Sequence, residues 1–333
     1  MTKVFSMKIS IIIPTFNGKD FLRECLGSVY RLNFPSYEVI LVDNNSIDGS
    51  VDLVKKEFPQ VKIIALNKNY GFARAVNEGI KLAASDRRQG TGENHYIALL
   101  NNDTRVDRNW LEELARAAEK NPEVSVFASN ILSWDGEKID SQGMKFFWKG
   151  KAEQINQNKR FDPNSKLQNP RSIFGACAAA ALYKKDIFQK IGFFDEDFFA
   201  YLEDVDFSFR AQLAGGKCLF IPSAIVYHQG GATRKRMGNF KARMDAKNWT
   251  FLIIKNYPAR YLSEYFFQIF VERLRNFNGL IKQTPLSQLP KSAFQTYGEV
   301  LIKLPKMIAK RGKIQKLRKV RNDYLDSIIS LNP

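Results

Sequence analysis

Near its amino terminus the chain reads Ser10-Ile-Ile-Ile-Pro-Thr-Phe-Asn-Gly18, an apolar run that meets a turn at Pro14. The apolar part predicts a buried strand over residues 9–13. Apolar residues then recur at three- and four-residue steps, the spacing of a helix, at Phe21, Leu22, Cys25 and Val29. The start of the chain therefore predicts one strand followed by one helix.

The same alternation continues through residue 120. Further strands are predicted over residues 38–42, 61–66 and 95–100, and helices over 51–58, 73–84 and 110–120. The last helix is expected to be capped by Asp107 and stopped by Asn121-Pro122. Repeated strand–helix units favour a mainly parallel sheet covered on both faces, which binds ligands where the carboxyl ends of the strands open into loops.

The second half of the chain is less regular. Residues 133–170 are polar and predict a loop-and-hairpin excursion over the site. A strand is predicted over 173–183, helices over 186–191 and 203–213, and strand material over 217–227 that Pro222 breaks. From Asn239 onward the periodicity is helical.

Four polar clusters lie where such a sheet would bind a ligand. Three follow strands and one opens a helix: Pro14-Thr-Phe-Asn-Gly18, Asp43-Asn-Asn-Ser-Ile-Asp-Gly-Ser50, Asn101-Asn-Asp-Thr104 and Glu203-Asp-Val-Asp206. Any one of them could be ordinary turn and cap chemistry. Together at one sheet edge their charges need a compensating cation, and a divalent metal ion would supply it. The sequence lacks Gly-x-Gly-x-x-Gly after the first strand and lacks a P-loop motif, which disfavours both of those nucleotide sites.

These motifs, in this order and spacing, resemble those of the inverting family 2 glycosyltransferases, enzymes with the GT-A fold. The similarity extends from residue 8 to residue 255. The branch that contains rhamnosyltransferases is most similar in the acceptor-side motifs and in residues 247–258. Further matching motifs are Asn69-Tyr-Gly-Phe-Ala-Arg-Ala-Val-Asn77, Gly192-Phe-Phe-Asp-Glu-Asp-Phe-Phe-Ala-Tyr-Leu-Glu-Asp-Val-Asp-Phe-Ser-Phe-Arg210 and Val226-Tyr-His-Gln-Gly-Gly231. The resemblance implies an α/β fold with a mainly parallel, Rossmann-like central sheet, flanking helices and a C-terminal helical extension.

On the donor side, the resemblance implies a set of residues that bind the nucleotide sugar: Pro14, Thr15, Asn17, Asp43, Asn45, Arg74 and Asn102. Asp43 would accept hydrogen bonds from the base or ribose, as a carboxylate can. Arg74 would hold the diphosphate through charge-assisted hydrogen bonds, close to Gly71, where the backbone permits close approach of a ligand. A surface arginine on a helix is the alternative for Arg74.

Asn101-Asn102-Asp103 stands where the family has its DxD metal motif, with an amide in place of the first carboxylate. The resemblance implies that Asp103 binds Mg²⁺ or Mn²⁺ and that His228 completes the metal shell, although His228 could equally be a structural histidine. The missing charge should weaken metal binding.

Inversion by in-line displacement needs one carboxylate to take the proton of the acceptor hydroxyl group, and Asp204 is the candidate for this general base. Glu203 and Asp206, on either side of it, are candidates for binding the acceptor. An acidic helix start that merely complements the helix dipole is the alternative interpretation of all three residues.

The charge of the chain is unevenly distributed. The 333 residues carry a net charge of +17, of which +15 lies in residues 234–333, with 21 basic and 6 acidic residues. Basic and apolar residues share helical spacing over 303–321, which is typical of a helix lying on an anionic membrane, and residues 261–270 offer aromatic anchors. A nucleic-acid-binding protein would also be basic, but recognisable binding motifs are missing and the acidic clusters would repel phosphate.

The resulting prediction divides the chain in two. Residues 1–235 form the catalytic domain, with a nucleotide-sugar half over about 8–131 and an acceptor half over about 132–235, and residues 236–333 form the basic amphipathic helical extension. The expected reaction is transfer of rhamnose from dTDP-rhamnose to a hydroxyl group of a lipid-linked saccharide, for a cell-surface polysaccharide. The alternatives are a UDP-hexose or UDP-galactofuranose donor and, outside the class, a nucleic-acid-binding protein or an inactive scaffold.

The expected location is the cytoplasm, at the inner face of the cell membrane. Three separated cysteines make a disulfide framework improbable, and the start of the chain does not resemble a signal peptide.

Overall fold

The computed structural model describes residues 7–85, 95–164, 169–230 and 239–330. Through residue 120 the predicted strands and helices are all present in the predicted order, and one short strand that was not predicted, Thr104–Val106, follows the fourth strand. In chain order they are β1 (Lys8–Thr15), α1 (Lys19–Val29), β2 (Tyr37–Asp43), α2 (Ser50–Glu57), β3 (Lys62–Ala65), α3 (Phe72–Ser85), β4 (His95–Leu100), β5 (Thr104–Val106) and α4 (Trp110–Lys120).

The later elements build the other half of the sheet and then a set of helices. The strands and helices of the middle section are β6 (Val124–Ser133), β7 (Ile139–Ser141), β8 (Met144–Phe147), β9 (Lys151–Gln154), β10 (Arg171–Ile173), β11 (Ala180–Lys184), α5 (Asp186–Ile191), α6 (Glu203–Leu213) and β12 (Lys217–His228). The C-terminal section comprises α7 (Phe240–Asn256), α8 (Ala259–Glu264), α9 (Phe266–Gln283), α10 (Leu289–Lys316), α11 (Asn322–Ile328) and β13 (Ile329–Ser330).

The central sheet has the strand order β10-β12-β6-β11-β4-β1-β2-β3, with β5 and β7 attached at one side. Strands β1, β2, β3 and β4 pair in parallel, as do β6 and β12, whereas β11 runs antiparallel between β4 and β6. The two apolar faces of the sheet form separate cores with the helices. The predicted mainly parallel sheet with flanking helices is therefore confirmed.

Several predictions about single elements are wrong. The strand expected over 173–183 is split into β10 and β11, which lie in different places in the sheet. Strand β12 continues past Pro222, with a shift of register between Ile221 and Ile225 instead of a break. The carboxylate of Asp107 accepts from the backbone N–H of Asn109, 2.9 Å away, and thus caps the turn before α4 and not the helix itself.

Strand β6 lies in the middle of the sheet, yet the sequence gives little sign of it. Ser129 and Asn130 interrupt its apolar run, although both are buried. Their polar atoms are satisfied internally: Ser129 accepts from the indole N–H of Trp110 at 2.9 Å, and Asn130 donates to the carbonyl of Pro222 at 3.1 Å. Buried polar residues with tertiary partners of this kind are not visible as strand residues in a periodicity pattern.

The polar excursion over 133–170 contains a hairpin of β8 and β9, and the C-terminal strand β13 pairs in parallel with β8. An aromatic core lies between this hairpin, α6 and the C-terminal helices. In that core the ring of Trp148 stacks on Tyr261 with centroids 3.7 Å apart. The end of the chain is thus joined to the acceptor half by both backbone pairing and buried aromatic packing.

The basic C-terminal section differs from the predicted membrane helix. Helix α10 ends at Lys316, and its residues Met307 and Ile314 are buried in the aromatic core. Tyr261, expected among the membrane anchors, is fully buried. The boundary predicted at residues 235/236 falls within 231–238, outside the described residues. Among the helices of the described part, none has the length and apolar character needed to cross a membrane.

Candidate active site

The loops after β1 and β2 are joined by hydrogen bonds around Ser46. The backbone N–H of Asn17 donates to the Ser46 hydroxyl at 2.8 Å, and the backbone N–H of Ser46 donates to Asp43 Oδ2 at 3.1 Å. Asn17 and Asn45 adopt positive φ angles of 51° and 67°, which turn the chain sharply at the strand ends. The structure thus brings Asn17, Asp43 and Asn45 together at one sheet edge.

The loop after β4 contacts the same edge. The Asn102 amide donates to the Thr15 hydroxyl at 2.8 Å, and Thr15 lies opposite Asp43 in the β1–β2 register, next to Pro14. A Cβ atom on Gly18 would lie only 2.0 Å from Asn102 Nδ2, so a glycine there lets the amide reach Thr15. The donor-side residues expected from three separate motifs therefore share one surface.

Gly71 and Arg74 lie toward the acceptor side. The backbone of Gly71 has a φ of +85°, and a Cβ atom there would lie 2.3 Å from the carbonyl oxygen of Phe199. Gly71 thus accommodates protein backbone and not the ligand expected from the sequence. Arg74 stacks on Tyr70 at 4.1 Å and has loose ion pairs, including one of 3.9 Å to Glu196.

His228 lies between two carboxylates. Its Nε2 is 3.2 Å from Asp103 Oδ1, and its Nδ1 is 2.8 Å from Asp140 Oδ2. Burial alone would lower the pKa of His228, but the hydrogen bonds and charges of Asp103 and Asp140 outweigh it and raise that pKa to about 10. With a metal ion bound, Nε2 would lose its proton and bind the ion, while Asp140 would keep the imidazole oriented through Nδ1, as carboxylates do for metal-binding histidines.

Asp103 and His228 fit a divalent ion chemically. Two neighbouring ligands of one ion bound at about 2.1 Å lie about 3 Å apart, close to the observed separation of Asp103 and His228. A carboxylate oxygen and an imidazole nitrogen suit Mn²⁺. Within the described residues there is no group of three or more acidic, His or Cys side chains arranged around one ion. Such an ion would therefore take its remaining ligands from a diphosphate and water.

Asp204 is the second residue of helix α6 and is held by backbone hydrogen bonds. The N–H of Ala178 donates to its Oδ2 at 3.3 Å, while the next residue's carbonyl, Ala179 O, accepts from Asn101 N–H at 2.8 Å. The segment before β11 therefore joins Asp204 to the Asn101–Asp103 loop. Burial raises the pKa of the nearby Cys177 thiol, and the charges of Asp204 and Asp140 raise it further.

Glu203 and Asp204 both favour the protonated form more than ordinary carboxyl groups do. Burial raises the pKa of Asp204, and its backbone hydrogen bonds only partly oppose this. The pKa of Glu203 lies well above its usual range because of burial and the charges of Asp204 and Asp206. Glu203 Oε2 is buried without a hydrogen-bond partner in the described part of the chain.

Asp206 has different surroundings from those expected of an acceptor-binding residue. It is fully buried, and it bonds to Lys255 at 2.8 Å, to Arg210 at 3.0 Å and to Asn256 at 2.8 Å. Burial disfavours its charged form, but the charges of Lys255 and Arg210 outweigh burial and lower its pKa. These bonds correct the sequence-based role: Asp206 stabilises the structure and has no free edge for a sugar.

Two further carboxylates of the same motif are also neutralised. Lys255 and Lys310 pair with Asp195, and Lys303, Lys306 and Lys310 pair with Asp197 at 2.6 to 3.3 Å. Lys303, Lys306 and Lys310 belong to the basic run over 303–321 that was predicted to lie on a membrane. Their partners lie about a hundred residues earlier in the chain, and the partner of Lys255 lies 60 residues earlier.

Sequence reasoning missed several residues that shape this site. Asn44 and Ser46 lie inside the predicted motif Asp43–Ser50, but the sequence predicted no role for either. In the structure Asn44 donates to Gly71 O at 3.0 Å, and Ser46 accepts from Asn17 N–H. Asp140 lies in the excursion interpreted as a loop. Asn248 and Lys255 lie in the segment 247–258, whose similarity to one family branch was the only signal.

Comparison with known proteins identifies the class. Residues 10–192 match the sequence profile of Glycosyl transferase family 2, and the chain belongs to this family. It is similar to N-acetylglucosaminyl-diphospho-decaprenol L-rhamnosyltransferase of Mycobacterium tuberculosis, with 23% identity over 262 residues that cover 73% of this chain and 83% of that protein.

Solved structures show the same GT-A fold. The structure of GalNAc-T7 with UDP, GalNAc and Mn²⁺ aligns with a TM-score of 0.59 and 16% identity, covering 87% of this chain and 54% of that one. S. aureus TarS 1-349 in complex with UDP-GlcNAc aligns with a TM-score of 0.53 and 16% identity, covering 93% and 91%. The protein is a nucleotide-sugar glycosyltransferase with the GT-A fold.

The contact between Gly71 and Phe199 can be tested through stability. Gly71→Ala adds a Cβ against backbone, whereas Gly215→Ala, at a similar φ of +80°, meets only a side-chain carbon at 3.7 Å. Gly215→Ala should cost about 1–2 kcal/mol for the left-handed backbone. Gly71→Ala should cost about 1–3 kcal/mol more because the loop must move. Urea unfolding followed by circular dichroism measures both, and equal losses would contradict the contact.

Proposed function

We propose that this chain is an inverting glycosyltransferase that moves L-rhamnose from dTDP-rhamnose to a hydroxyl group of a lipid-linked saccharide, in the synthesis of a cell-surface polysaccharide. The observation that carries the proposal is the placement of Asp204. Its carboxylate bonds to Ala178, next to the residue that holds the Asn101–Asp103 loop. One carboxylate is thereby placed close to the motif that would receive the donor.

In the proposed reaction Asp204 acts as the general base. It takes the proton of the acceptor hydroxyl as that oxygen attacks the anomeric carbon, and the nucleoside diphosphate departs with the electrons of the broken bond. The raised pKa of Asp204 makes its carboxylate a stronger base than a solvated one. Burial and the charges of Asp204 and Asp206 raise the pKa of Glu203, and its Oε2, which has no hydrogen-bond partner among the described residues, would bind the acceptor.

On the donor side, Pro14, Thr15, Asn17, Asp43, Asn45 and Asn102 would surround the nucleoside and ribose, and Arg74 would reach the diphosphate after leaving its loose ion pairs. Asp103 and His228 would hold Mg²⁺ or Mn²⁺, with Asp140 fixing the imidazole. When bound, the ion supplies charge neutralisation for the departing diphosphate.

The donor and acceptor are supported by relatives. The rhamnosyltransferase of Mycobacterium tuberculosis carries in its name both the sugar and a polyprenol-linked acceptor, and its similarity covers most of both chains. A UDP-sugar donor is the second candidate, because TarS and GalNAc-T7 were solved with UDP-GlcNAc and with UDP.

Peripheral attachment to an anionic membrane is part of the proposal, through only those residues of the predicted segments 261–270 and 303–321 that the fold leaves exposed. Helix α9 exposes Phe266, Phe267 and Phe270, at 69%, 71% and 51% of their surface, on one face. The lysines of α10 that pair with Asp195 and Asp197 are already neutralised, whereas Lys313 and Lys316 are exposed. Exposed aromatic and basic side chains together favour an anionic lipid surface.

The role of Asp204 is tested by a pair of isosteric variants. Asp204→Asn should lower kcat by about 10²–10⁴-fold because the base is lost, while binding of the nucleotide sugar persists. Glu203→Gln should reduce kcat by less than about tenfold, since the raised pKa of Glu203 favours its neutral form, which the amide imitates. Wild-type kcat should fall as the pH drops through the raised pKa of Asp204, above the range of an ordinary carboxyl. Turnover in Asp204→Asn within tenfold of wild type would contradict the assignment.

The donor is tested by calorimetric titration with dTDP-rhamnose, UDP-GlcNAc and UDP-galactofuranose, each with and without Mn²⁺. We expect dTDP-rhamnose to bind most tightly and Mn²⁺ to strengthen its binding. Asp103→Asn should weaken the effect of Mn²⁺ because one ligand of the ion is lost. Binding of the UDP-sugars but not of dTDP-rhamnose would replace the proposed donor by the second candidate.

The membrane surface is tested by sedimentation with phosphatidylcholine vesicles, with and without phosphatidylglycerol. Binding should require the anionic lipid. Phe267→Ser should lower the partition coefficient by about tenfold or more, since burying a phenylalanine contributes about 1.5–3 kcal/mol. Phe193→Ser, an exposed aromatic outside the C-terminal helices, is the control and should change little. Equal effects of both substitutions would exclude α9 as the contact.

A further inference from the structure

The loop that leads into Asp204 has an unfavourable backbone conformation. Phe199, Tyr201 and Leu202 all have positive φ angles, of 64°, 67° and 67°, and none of them is glycine. Each such residue costs about 1–2 kcal/mol relative to the usual right-handed regions. Three in four residues persist only where surrounding contacts determine the conformation, and such strain is concentrated at functional sites.

The contacts that determine this loop come from the C-terminal helix α7. The side-chain amide of Asn248 donates toward three backbone carbonyl oxygens, those of Phe198, Ala200 and Tyr201, at 3.0, 2.9 and 2.8 Å. Asn248 is fully buried, and its Oδ1 has no hydrogen-bond partner in the described part of the chain. All the side-chain hydrogen bonds that Asn248 makes among the described residues are therefore to the loop.

The two ends of the loop are attached to the two halves of the catalytic unit. The carbonyl of Phe199 accepts from the backbone N–H of Ala73 at the start of α3, at 3.3 Å, and the carbonyl of Leu202 accepts from Asp206 N–H within α6, at 2.9 Å. The loop thus passes from the donor-side helix to the helix of Asp204. A shift of its backbone would move Asp204 relative to the donor surface.

Helix α7 contacts the same motif at two points that are eight residues apart, through Lys247 and Lys255. Lys247, next to Asn248, donates to the Asp197 carbonyl at 3.3 Å, and Lys255 near the end of the helix pairs with Asp206 at 2.8 Å. The side chain of Lys255 is 1% exposed. Asn248 is therefore presented from a helix that is attached by a hydrogen bond to Asp197 before the loop and by an ion pair to Asp206 after it.

We infer that Asn248 is a positioning residue for sugar transfer, which holds the strained loop 198–202 so that the Asp204 carboxylate faces the acceptor hydroxyl. The inference rests on the proposed role of Asp204 as the base. It assigns the C-terminal helices a part in catalysis, because the residue that shapes the loop lies outside the sequence of the matched family profile, residues 10–192.

The experiment compares Asn248→Leu with Asn256→Leu in the full-length protein. Both asparagines are fully buried on α7, but Asn256 bonds to Asp206 and does not contact the loop. The first readout needs no ligand: hydrogen–deuterium exchange of the peptide spanning 198–203. We expect at least tenfold faster exchange there in Asn248→Leu and little change in Asn256→Leu.

The second readout is transfer from the nucleotide sugar selected in the calorimetric titration. Asn248→Leu should lower kcat about 10- to 100-fold with KM for the donor nearly unchanged. The acid limb of its kcat–pH profile should also move to lower pH, because a loosened loop admits water to Asp204. A loss of folding alone would not move this limb. Asn248→Ser, which keeps one donor, should be intermediate, and it replaces the leucine variant, with Asn256→Ser as control, if that variant does not fold.

The outcomes separate the two proposals. Equal exchange and equal kcat in the Asn248 and Asn256 variants would overturn the positioning role while leaving Asp204 as the base. Faster loop exchange with unchanged kcat would also overturn it. Full activity of Asp204→Asn would instead overturn the proposed function, whatever the Asn248 variants show.

Discussion

The ammonium group of Lys255 lies between the carboxylates of Asp195 and Asp206, shielded almost completely from water. Removing one charge from such a group leaves the others buried and unpaired, which lowers the free energy of unfolding by about 3–5 kcal/mol. Lys255 belongs to α7, and the two aspartates lie on either side of the loop 198–202 that leads into Asp204. The C-terminal helices and the acceptor-side motif therefore share one buried ion network, although they are separated in the sequence.

This ion network also separates the carboxyl groups of the acidic motif into two sets, which differ in the direction of their pKa shifts. Asp195, Asp197 and Asp206 have lysine or arginine partners that lower their pKa values and keep them charged. Among the described residues neither Glu203 nor Asp204 has such a cation beside it, and burial raises their pKa values. When neighbouring carboxyl groups have pKa values shifted in opposite directions, one site can use some of them as charged structural groups and others as proton acceptors.

The two sides of the site meet at a short irregular segment before β11. Ala178 donates to Asp204, and Ala179 accepts from Asn101, so the proposed base and the motif with Asp103 are related through two consecutive residues. Antiparallel β11 lies between β4 and β6 and thereby joins the two parallel parts of the sheet. The position of this strand could not be predicted from the sequence, because residues 173–183 form one apolar run that the structure divides between β10 and β11.

The strands and helices through residue 120 could be predicted because each is a local pattern with its own periodicity, and the turn residues after β1, β2 and β4 marked the binding edge. Strand β6 could not, because Ser129 and Asn130 are stabilised by Trp110 and Pro222, which only the fold brings near. The role of Asp206 was predicted wrongly for the same reason. A carboxylate beside a candidate base resembles a binding group until its buried partner, Lys255, is known.

The sequence by itself determined the family, the alternating elements and the residues at the strand ends, because periodicity and turn chemistry depend on near neighbours. It also determined that the last hundred residues are strongly basic. Only the tertiary structure decided where that charge acts: part of it neutralises Asp195, Asp197 and Asp206, and part remains exposed. Whether a charged side chain meets water or a buried partner depends on segments about fifty to a hundred residues apart, and such long-range pairing leaves no periodic signal in the chain.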